Sequence, residues 1–324
     1  MKNKLLYKLR SGKNPKFIYY SVNALRLVIP KGIFRLRLQG KLSSLSRRKD
    51  KEYIEHRVDY YNKLSGTVQL PSSAPHLSEH KMSKQKVYFF DTYQYTRWFS
   101  DQFQWGFCPG DVTFVPDYPS IVKSRPLIDD NVNSIVMKLD KVRHFIFVDD
   151  KKAFTEKKNM VIFRGKVKGK PSRKLFMEMY FHHPMCDLGD VSKNTTDPAE
   201  WRTEKKTINE HLDYKFIMAL EGIDVASNLK WVMSSNSIAV MPRPTCETWF
   251  MEGTLIPNYH YIEIKPDFSD LEERLNYYIE HVDESLEIIN HAHEYVSQFK
   301  DKRRENLISL LVLDKYFKMT GQKS

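Results

Sequence analysis

Apolar and polar positions alternate in a regular rhythm between residues 213 and 267 of the chain. The apolar run at residues 216–220 predicts a buried strand, and two further strands are predicted at residues 237–241 and 260–265. The amphipathic segments between them predict crossover helices, at residues 224–236 and 247–255. Strands that alternate with helices are typical of an open, mostly parallel sheet, so the predicted fold class is α/β.

The first predicted helix has recognisable ends. Asp224 is a residue type that caps helix starts, and Asn236 is a type that ends helices. In open parallel sheets, ligands bind where strands end and helices begin. Polar residues and a glycine crowd these junctions, namely Glu221, Gly222, Asp224, Ser227, Asn228, Lys230, Arg243, Thr245 and Glu247.

The remaining elements are predicted from shorter patterns. Further helices are predicted at residues 50–64, 92–103, 172–180, 270–281, 284–300 and 304–319. Further strands are predicted at residues 87–90, 134–139, 145–148 and 160–163. Proline and serine make residues 65–84 and 108–126 irregular. A chain of 324 residues exceeds the size at which a single core stops growing, so two domains are expected.

Positive charge is concentrated at the N-terminus. Residues 1–63 contain 17 Lys and Arg against 4 Asp and Glu, whereas the rest of the chain contains 35 against 36. The basic residues alternate with apolar ones, no apolar run approaches the ~20 residues of a membrane span, and no signal-peptide pattern occurs. Such an arm fits the interface of an anionic membrane, a nucleic-acid backbone, or a solvated helical arm on its own domain.

Cysteine and histidine give little sign of special chemistry. Cys108, Cys186 and Cys246 are too few for a disulfide framework and lack Cys-x-x-Cys spacing, which predicts structural thiols in a reducing cytosol. His291 and His293 are two apart on a predicted helix and point in different directions, so they are not paired metal ligands. No metal site is predicted.

A basic loop follows the strand predicted at residues 160–163. Arg164 and Gly165 leave the strand, and the following cations are Lys166, Lys168, Lys170 and Arg173. Guanidinium groups bind phosphate in bidentate fashion, so the loop is a candidate phosphate site; the alternative is a solvated basic turn. A second candidate is the helix start after Gly222, where free backbone amides could meet phosphate or ribose oxygens.

Four segments carry a family resemblance. YKFIMALEG, ASNLKW, SNSIAVM and ETWFMEGTLIPNYHYIEIKPDFSDL resemble the signature of glycosyltransferase family 90. That family includes fungal capsule-synthesis transferases, animal protein O-glucosyltransferases and bacterial lipopolysaccharide-modifying proteins, and the chain looks most similar to the bacterial branch. The resemblance covers roughly residues 85–300 and is densest over 160–270.

The resemblance implies a GT-B-like architecture of two Rossmann-like lobes facing across a cleft, with a basic helical arm. The predicted segments are the arm at 1–64, an acceptor-side lobe at 65–154, a nucleotide-sugar donor lobe at 155–300, and a C-terminal helix at 301–324 that packs back on the first lobe. The implied reaction is an inverting, metal-independent transfer from a UDP-sugar, without a cofactor, to a hydroxyl of a glycan such as lipopolysaccharide core. The implied location is cytoplasmic, peripheral on the inner face of the inner membrane.

The resemblance also implies roles for single residues. Asp117, followed by Tyr118 and Pro119, matches the catalytic base of the animal O-glucosyltransferases, with Asp111 as the fallback. Arg164 matches the donor-phosphate position, and Lys230 keeps a family cation, whereas Asn228 stands where the animal branch has an arginine. The predicted donor-binding set is Arg164, Gly165, Arg173, Gly222, Asp224, Ser227, Asn228, Lys230 and Glu247.

On the acceptor side, Lys123 and Arg125 are candidate contacts to an anionic acceptor, with structural ion pairing as an equal alternative. The sequence contains no Asp-x-Asp motif, so positive side chains and backbone donors would meet the charge of the leaving diphosphate. The expected partners are a nucleotide sugar, a lipid-linked or lipopolysaccharide glycan and an anionic membrane surface, and no nucleic acid. The rival interpretation is a non-catalytic phosphate- or nucleic-acid-binding protein that uses the basic arm.

Overall fold

The computed structural model describes residues 11–322 of the chain. The chain forms two compact units, and each draws on separate stretches of sequence. Unit 1 contains residues 11–14, Arg143–Pro244 and Thr254–Gln298. Unit 2 contains Pro15–Val142, Thr245–Gly253 and residues 299–322. The predicted division into four consecutive segments stays a prediction.

The described residues contain ten strands and eleven α-helices. The strands are β1 Gly106–Cys108, β2 Ser120–Val122, β3 Ser124–Pro126, β4 Ser134–Val136, β5 Lys158–Gly165, β6 Cys186–Asp190, β7 Tyr214–Met218, β8 Ile238–Met241, β9 Cys246–Thr248 and β10 Ile262–Glu263. The helices are α1 Lys16–Val28, α2 Lys31–Ser43, α3 Lys51–Tyr61, α4 Lys86–Thr96, α5 Lys141–His144, α6 Pro171–Tyr180, α7 Ile208–His211, α8 Leu229–Val232, α9 Leu271–Glu280, α10 Val282–Ser297 and α11 Lys302–Met319.

Unit 1 is built on a five-stranded sheet in the order β10-β8-β7-β5-β6, and every pair of neighbours is parallel. Alternate residues of its central strands face one apolar cluster, which includes Val161, Phe216 and Val240, all fully buried. Ile162 and Ile217, which point to the opposite face, are buried as well. Burial on both faces is typical of a parallel α/β sheet, and the predicted fold class is confirmed.

Helices complete the core of unit 1. Pro171 occupies the first turn of α6, where a missing backbone N–H costs nothing, and Phe176 and Tyr180 of this helix enter the core. Phe176 packs against Phe268, 5.3 Å between ring centroids, in the loop that leads into α9. The helices predicted at 172–180, 270–281 and 284–300 are confirmed as α6, α9 and α10.

Unit 2 combines helices with two small sheets. Strands β1, β2 and β4 form a parallel sheet in the order β1-β2-β4, and β3 pairs with β9 in antiparallel fashion. Helix α11 is buried on most of its surface, since the consecutive residues Ile308, Ser309 and Leu310 lie on different faces and are all buried. Helices α3 and α11, predicted at 50–64 and 304–319, are confirmed.

Three predictions of helices and strands were wrong. The run at 87–90 is part of helix α4; Tyr88, Phe89 and Tyr95 are all buried, and a short apolar run does not separate a buried strand from a buried helix. The helix predicted at 247–255 is strand β9 followed by a turn, in which Glu252 accepts from the backbone N–H of Thr248 at 2.6 Å. No strand forms at 145–148.

The helix predicted at 224–236 is also wrong in length. Only Leu229–Val232 is helical, and its N-cap is Asn228 rather than Asp224. Asp224 is buried in the irregular segment that follows β7. A single turn does not carry the row of free amides that the helix-start phosphate site required, so that site is withdrawn.

Candidate active site

In unit 1, the loops that follow β5 and β7 are joined by one guanidinium group. Arg173, in the first turn of α6, donates from Nη1 to the Lys166 carbonyl (3.0 Å), from Nη2 to the Leu220 carbonyl (2.7 Å) and from Nε to the Glu221 carbonyl (2.9 Å). Because the two strands are parallel neighbours, their carboxyl ends lie at the same edge of the sheet. We call Arg173, Gly222, Asn228 and these three carbonyls the strand-end cluster.

The guanidinium of Arg173 is held by neutral dipoles and not by a carboxylate. Its three hydrogen-bond acceptors are all backbone carbonyls, and burial lowers the pKa of the guanidinium to about 10. At that pKa the side chain remains a cation near neutral pH. Carbonyl oxygens stabilise the cation without cancelling its net charge, so the guanidinium keeps its positive charge at this edge of the sheet.

Gly222 and Asn228 lie at the same edge. A Cβ atom on Gly222 would stand 3.4 Å from Nη2 of Arg173, so the backbone there runs close to the guanidinium. Asn228 donates from Nδ2 to the carbonyl of Met218 at the end of β7 (2.9 Å). Ser227 is exposed, whereas Lys230 in α8 is fully buried. The donor-binding roles of these residues stay predictions.

Arg164 points to a neighbouring strand. Its Nη1 donates to the carbonyls of Phe163 (2.8 Å) and Asp187 (2.7 Å), and its Nη2 pairs with the Asp187 carboxylate. Tyr214 also donates to that carboxylate, and Lys206 lies 3.5 Å from it. Burial raises the pKa of Asp187, but the hydrogen bonds from Tyr214 and Arg164 outweigh it, and the net pKa is lowered. Arg164 therefore carries its own counter-ion.

The basic loop after Gly165 is held by its neighbour strand. The carboxylate Oδ1 of Asp190 accepts from the backbone N–H of Val167 (3.0 Å), and Ser192 Oγ accepts from Val167 and Lys168 (3.0 and 3.2 Å). These two amides are thus already engaged within the protein, and a phosphate would meet the loop through its side chains. Sequence reasoning missed Asp187 and Asp190 because the segment CDLGD of β6 has almost no apolar run to mark it as a strand.

In unit 2, the loop that carries Asp117 is fixed from two sides. Asn133 donates from Nδ2 to the carbonyls of Pro116 (3.0 Å) and Asp117 (3.1 Å). Tyr316 of α11 donates to the carbonyl of Pro119 (2.9 Å) and accepts from the backbone N–H of Gly106 (2.8 Å). The backbone is held while the Asp117 side chain is exposed to solvent, and its role as the catalytic base stays a prediction.

The other candidates of unit 2 are buried ion pairs. Lys123 pairs with Asp111 at 2.5 Å, and Arg125 donates from Nε to Glu247 at 2.7 Å. Arg125 also donates to the carbonyls of Tyr60 (2.8 Å) and Ser134 (3.3 Å). Structural ion pairing, one of the two alternatives for Lys123 and Arg125, is therefore present, and contact with an acceptor stays a prediction. Glu247, placed on the donor side from sequence, belongs to unit 2.

Residues 11–322 contain neither a candidate metal site nor a candidate membrane-spanning helix. No group of three or more His, Cys, Asp and Glu side chains is arranged to hold a metal ion. No helix in this range combines the length and apolar character required to cross a bilayer. The three cysteines are free thiols, and burial raises the pKa of Cys186 to about 12.

A parallel sheet whose carboxyl edge gathers a guanidinium and polar side chains is typical of α/β proteins that bind phosphorylated ligands. Comparison with known proteins defines the class. The family model "Glycosyl transferase family 90" matches residues 119–321. The chain is 38% identical over 267 residues to the O-glucosyltransferase LpsA of Dichelobacter nodosus, covering 82% of this chain and 83% of that protein. The chain belongs to glycosyltransferase family 90, and it is a glycosyltransferase.

Proposed function

We propose that this protein transfers a sugar from a UDP-sugar to a hydroxyl of a cell-surface glycan such as lipopolysaccharide core, with inversion and without a metal ion. Glucose is the first sugar to test, because the relative in Dichelobacter nodosus is named an O-glucosyltransferase. The proposed architecture is GT-B-like, with two Rossmann-like lobes facing across a cleft. The enzyme works from the cytoplasm, as a peripheral protein on the inner face of the inner membrane.

The strand-end cluster supports the donor half of this proposal. Departure of UDP places negative charge on the diphosphate, and a preorganised cation lowers the barrier if it meets that charge. Arg173 is the best-placed cation, because its hydrogen bonds go to neutral carbonyls and its net charge is retained. Arg164, whose charge Asp187 balances, positions the end of β5 beside it.

The anchored loop of unit 2 supports the acceptor half. The acceptor hydroxyl must lose its proton as it attacks the anomeric carbon, and a positioned carboxylate contributes typically about 10²–10⁴-fold to such a step. Asp117 is exposed, its backbone is hydrogen-bonded to Asn133, and the following Pro119 is held by Tyr316. We assign the base to Asp117, which lies two residues before the family match begins.

The test combines ligand binding with transfer. UDP-glucose and UDP are expected to raise the melting temperature of the wild type, with or without EDTA. Arg173→Gln is expected to lose most of that rise, whereas Arg274→Gln keeps it; Arg274 is a half-buried arginine of α9 that bonds Asn258 and Tyr278. Asp117→Asn is expected to keep the rise but to slow release of UDP by about 10²–10⁴-fold.

Several results would contradict the proposal. If no UDP compound raises the melting temperature, the donor assignment is wrong. If EDTA abolishes activity and Mg²⁺ or Mn²⁺ restores it, the metal-independent mechanism is wrong. If the protein binds RNA in a salt-dependent manner and shows no response to UDP compounds, the basic N-terminal residues favour the rival nucleic-acid-binding function.

A further inference from the structure

Helix α1 presents its apolar face to solvent. Phe17 is 82% exposed, Leu25 67% and Val28 76%, and these residues recur at helical spacing along one side of the helix. In α2, Leu36 is 88% exposed. We call the exposed apolar residues of these two helices and their connection the α1–α2 face; they are Phe17, Ile18, Val22, Leu25, Leu27, Val28, Ile29, Ile33 and Leu36.

The opposite side of α1 is polar and faces the protein. Tyr19 donates to the carboxylate of Asp91 in α4 (2.7 Å), and Arg26 donates to Gln94 of the same helix (3.0 Å). Asn23, between them, is buried. A surface helix normally buries its apolar side and exposes its polar side to water. Helix α1 has the inverted arrangement, with its polar side against the protein and its apolar side in solvent. An inverted helix with a contiguous apolar surface marks a site of association.

The charge around this face selects the partner. The sequence contains no Asp or Glu before Asp50, while Lys and Arg recur throughout residues 1–49. Lys31 and Arg35 are paired with Asp101 (2.6 and 2.7 Å), whereas Lys16 and Arg37 are exposed beside the apolar residues. A surface that is apolar in its centre and cationic at its rim matches the interface of a bilayer with anionic lipids.

We propose that the α1–α2 face docks this enzyme on an anionic bilayer, with α1 lying in the plane of the interface. This inference rests on the membrane location proposed above and names the residues that carry it. Helix α1 has 13 residues, well short of the roughly 20 residues of a spanning helix, so it fits an in-plane position. A second copy of the chain would bring the same cations against themselves, and a nucleic-acid backbone offers nothing to Leu25, Val28 or Leu36.

Vesicle flotation tests the proposal with a matched pair of variants. The wild type is expected to float with vesicles of equal parts phosphatidylglycerol and phosphatidylcholine, and much less with phosphatidylcholine alone. The double variant Leu25→Glu/Val28→Glu is expected to bind the anionic vesicles at least about tenfold more weakly. The control Ile128→Glu, at a residue of unit 2 that is 54% exposed, is expected to bind like the wild type.

A second variant tests the cationic rim without touching the apolar residues. Lys16→Gln/Arg37→Gln is expected to weaken binding to anionic vesicles and to leave the weak binding to phosphatidylcholine unchanged. The proposal is overturned if Leu25→Glu/Val28→Glu floats like the wild type, or if the wild type does not bind anionic vesicles. It is equally overturned if the wild type is a dimer in solution that this double variant converts to a monomer.

A lipid-free measurement separates this inference from the proposed activity. The rise in melting temperature with UDP is expected to be the same for the wild type and for Leu25→Glu/Val28→Glu. A protein that floats but does not respond to UDP compounds would contradict the transferase proposal and support docking. A protein that responds to UDP but never floats would support the transferase proposal and contradict docking.

Discussion

Glu247 offers a direct choice between a structural role and a role in donor binding. Its carboxylate accepts from Nε of Arg125 at 2.7 Å, and the Tyr60 hydroxyl donates to its other oxygen. The side chains of Arg125 and Glu247 are 0% and 2% exposed. Glu247→Gln keeps the size of the side chain but leaves the guanidinium of Arg125 buried without a counter-ion.

The magnitude follows from that burial. Removing one partner of a buried ion pair costs about 3–5 kcal/mol, because the remaining charge is uncompensated. For a unit of this size, that loss corresponds to a fall in melting temperature on the order of 10 °C. Thermal unfolding followed by circular dichroism, without ligand, measures it. The double variant Arg125→Met/Glu247→Leu is expected to recover part of the loss, since it removes both charges.

Glu263→Gln is the matched control. Glu263 also pairs with an arginine, Arg243, at 3.0 Å, but the Arg243 side chain is 72% exposed. Solvent screens a pair in that environment, so it contributes little to stability and the melting temperature should change little. A structural role for Glu247 is refuted if the free energy of unfolding of Glu247→Gln lies within about 1 kcal/mol of the wild-type value. If that variant instead loses only its response to UDP-glucose, Glu247 binds the donor as predicted from the sequence.

Three further outcomes are expected. Tyr316→Phe removes the hydroxyl that links Pro119 to Gly106, so transfer should slow while the UDP-induced rise in melting temperature is unchanged; an equal loss of both would contradict a positioning role. Burial lowers the pKa of His211 to about 4, below the 6.5 of an unfolded histidine, so its contribution is present above pH 6.5 and lost as the pH falls toward 4. The contribution to the free energy of unfolding is at most about 3 kcal/mol. Denaturant titrations between pH 7 and pH 4 should therefore show a smaller loss of this free energy for His211→Gln than for the wild type. Gly189→Ala would place a Cβ 2.0 Å from Cγ2 of Thr203, which should cost about 1–3 kcal/mol in the same titrations at pH 7.

The parallel sheet of unit 1 was predictable because its strands are apolar on both faces. Residues 216–220 and 238–241 form continuous apolar runs, and the structure places them side by side as β7 and β8. Strand β6 was missed for the opposite reason, since Asp187 and Asp190 interrupt its apolar character. Both carboxylates have structural partners, and neither partnership leaves a periodic signal in the sequence.

The candidate site was predictable only in part. The sequence indicates that Arg164 and Arg173 flank a loop after a strand, but it does not indicate which carries a counter-ion. That difference depends on Asp187, which pairs with Arg164 across 23 positions of sequence. Likewise, Asn228 was assigned to a helix interior, whereas it caps a single turn and binds the end of β7. Tertiary pairing determined both outcomes.

Arg164 and Arg173 differ in the groups that hold them in place, and this difference has a physical consequence for their roles. A guanidinium that binds a departing diphosphate must be held in place before the reaction, yet keep its charge available. Pairing with a carboxylate gives Arg164 a fixed position and removes its net charge. Three backbone carbonyls give Arg173 an equally fixed position and leave the charge in place. The lowered pKa of Arg173 is the sign of that arrangement, since no nearby carboxylate offsets its burial and a bound anion would. Binding of a diphosphate should therefore stabilise the charged form of Arg173.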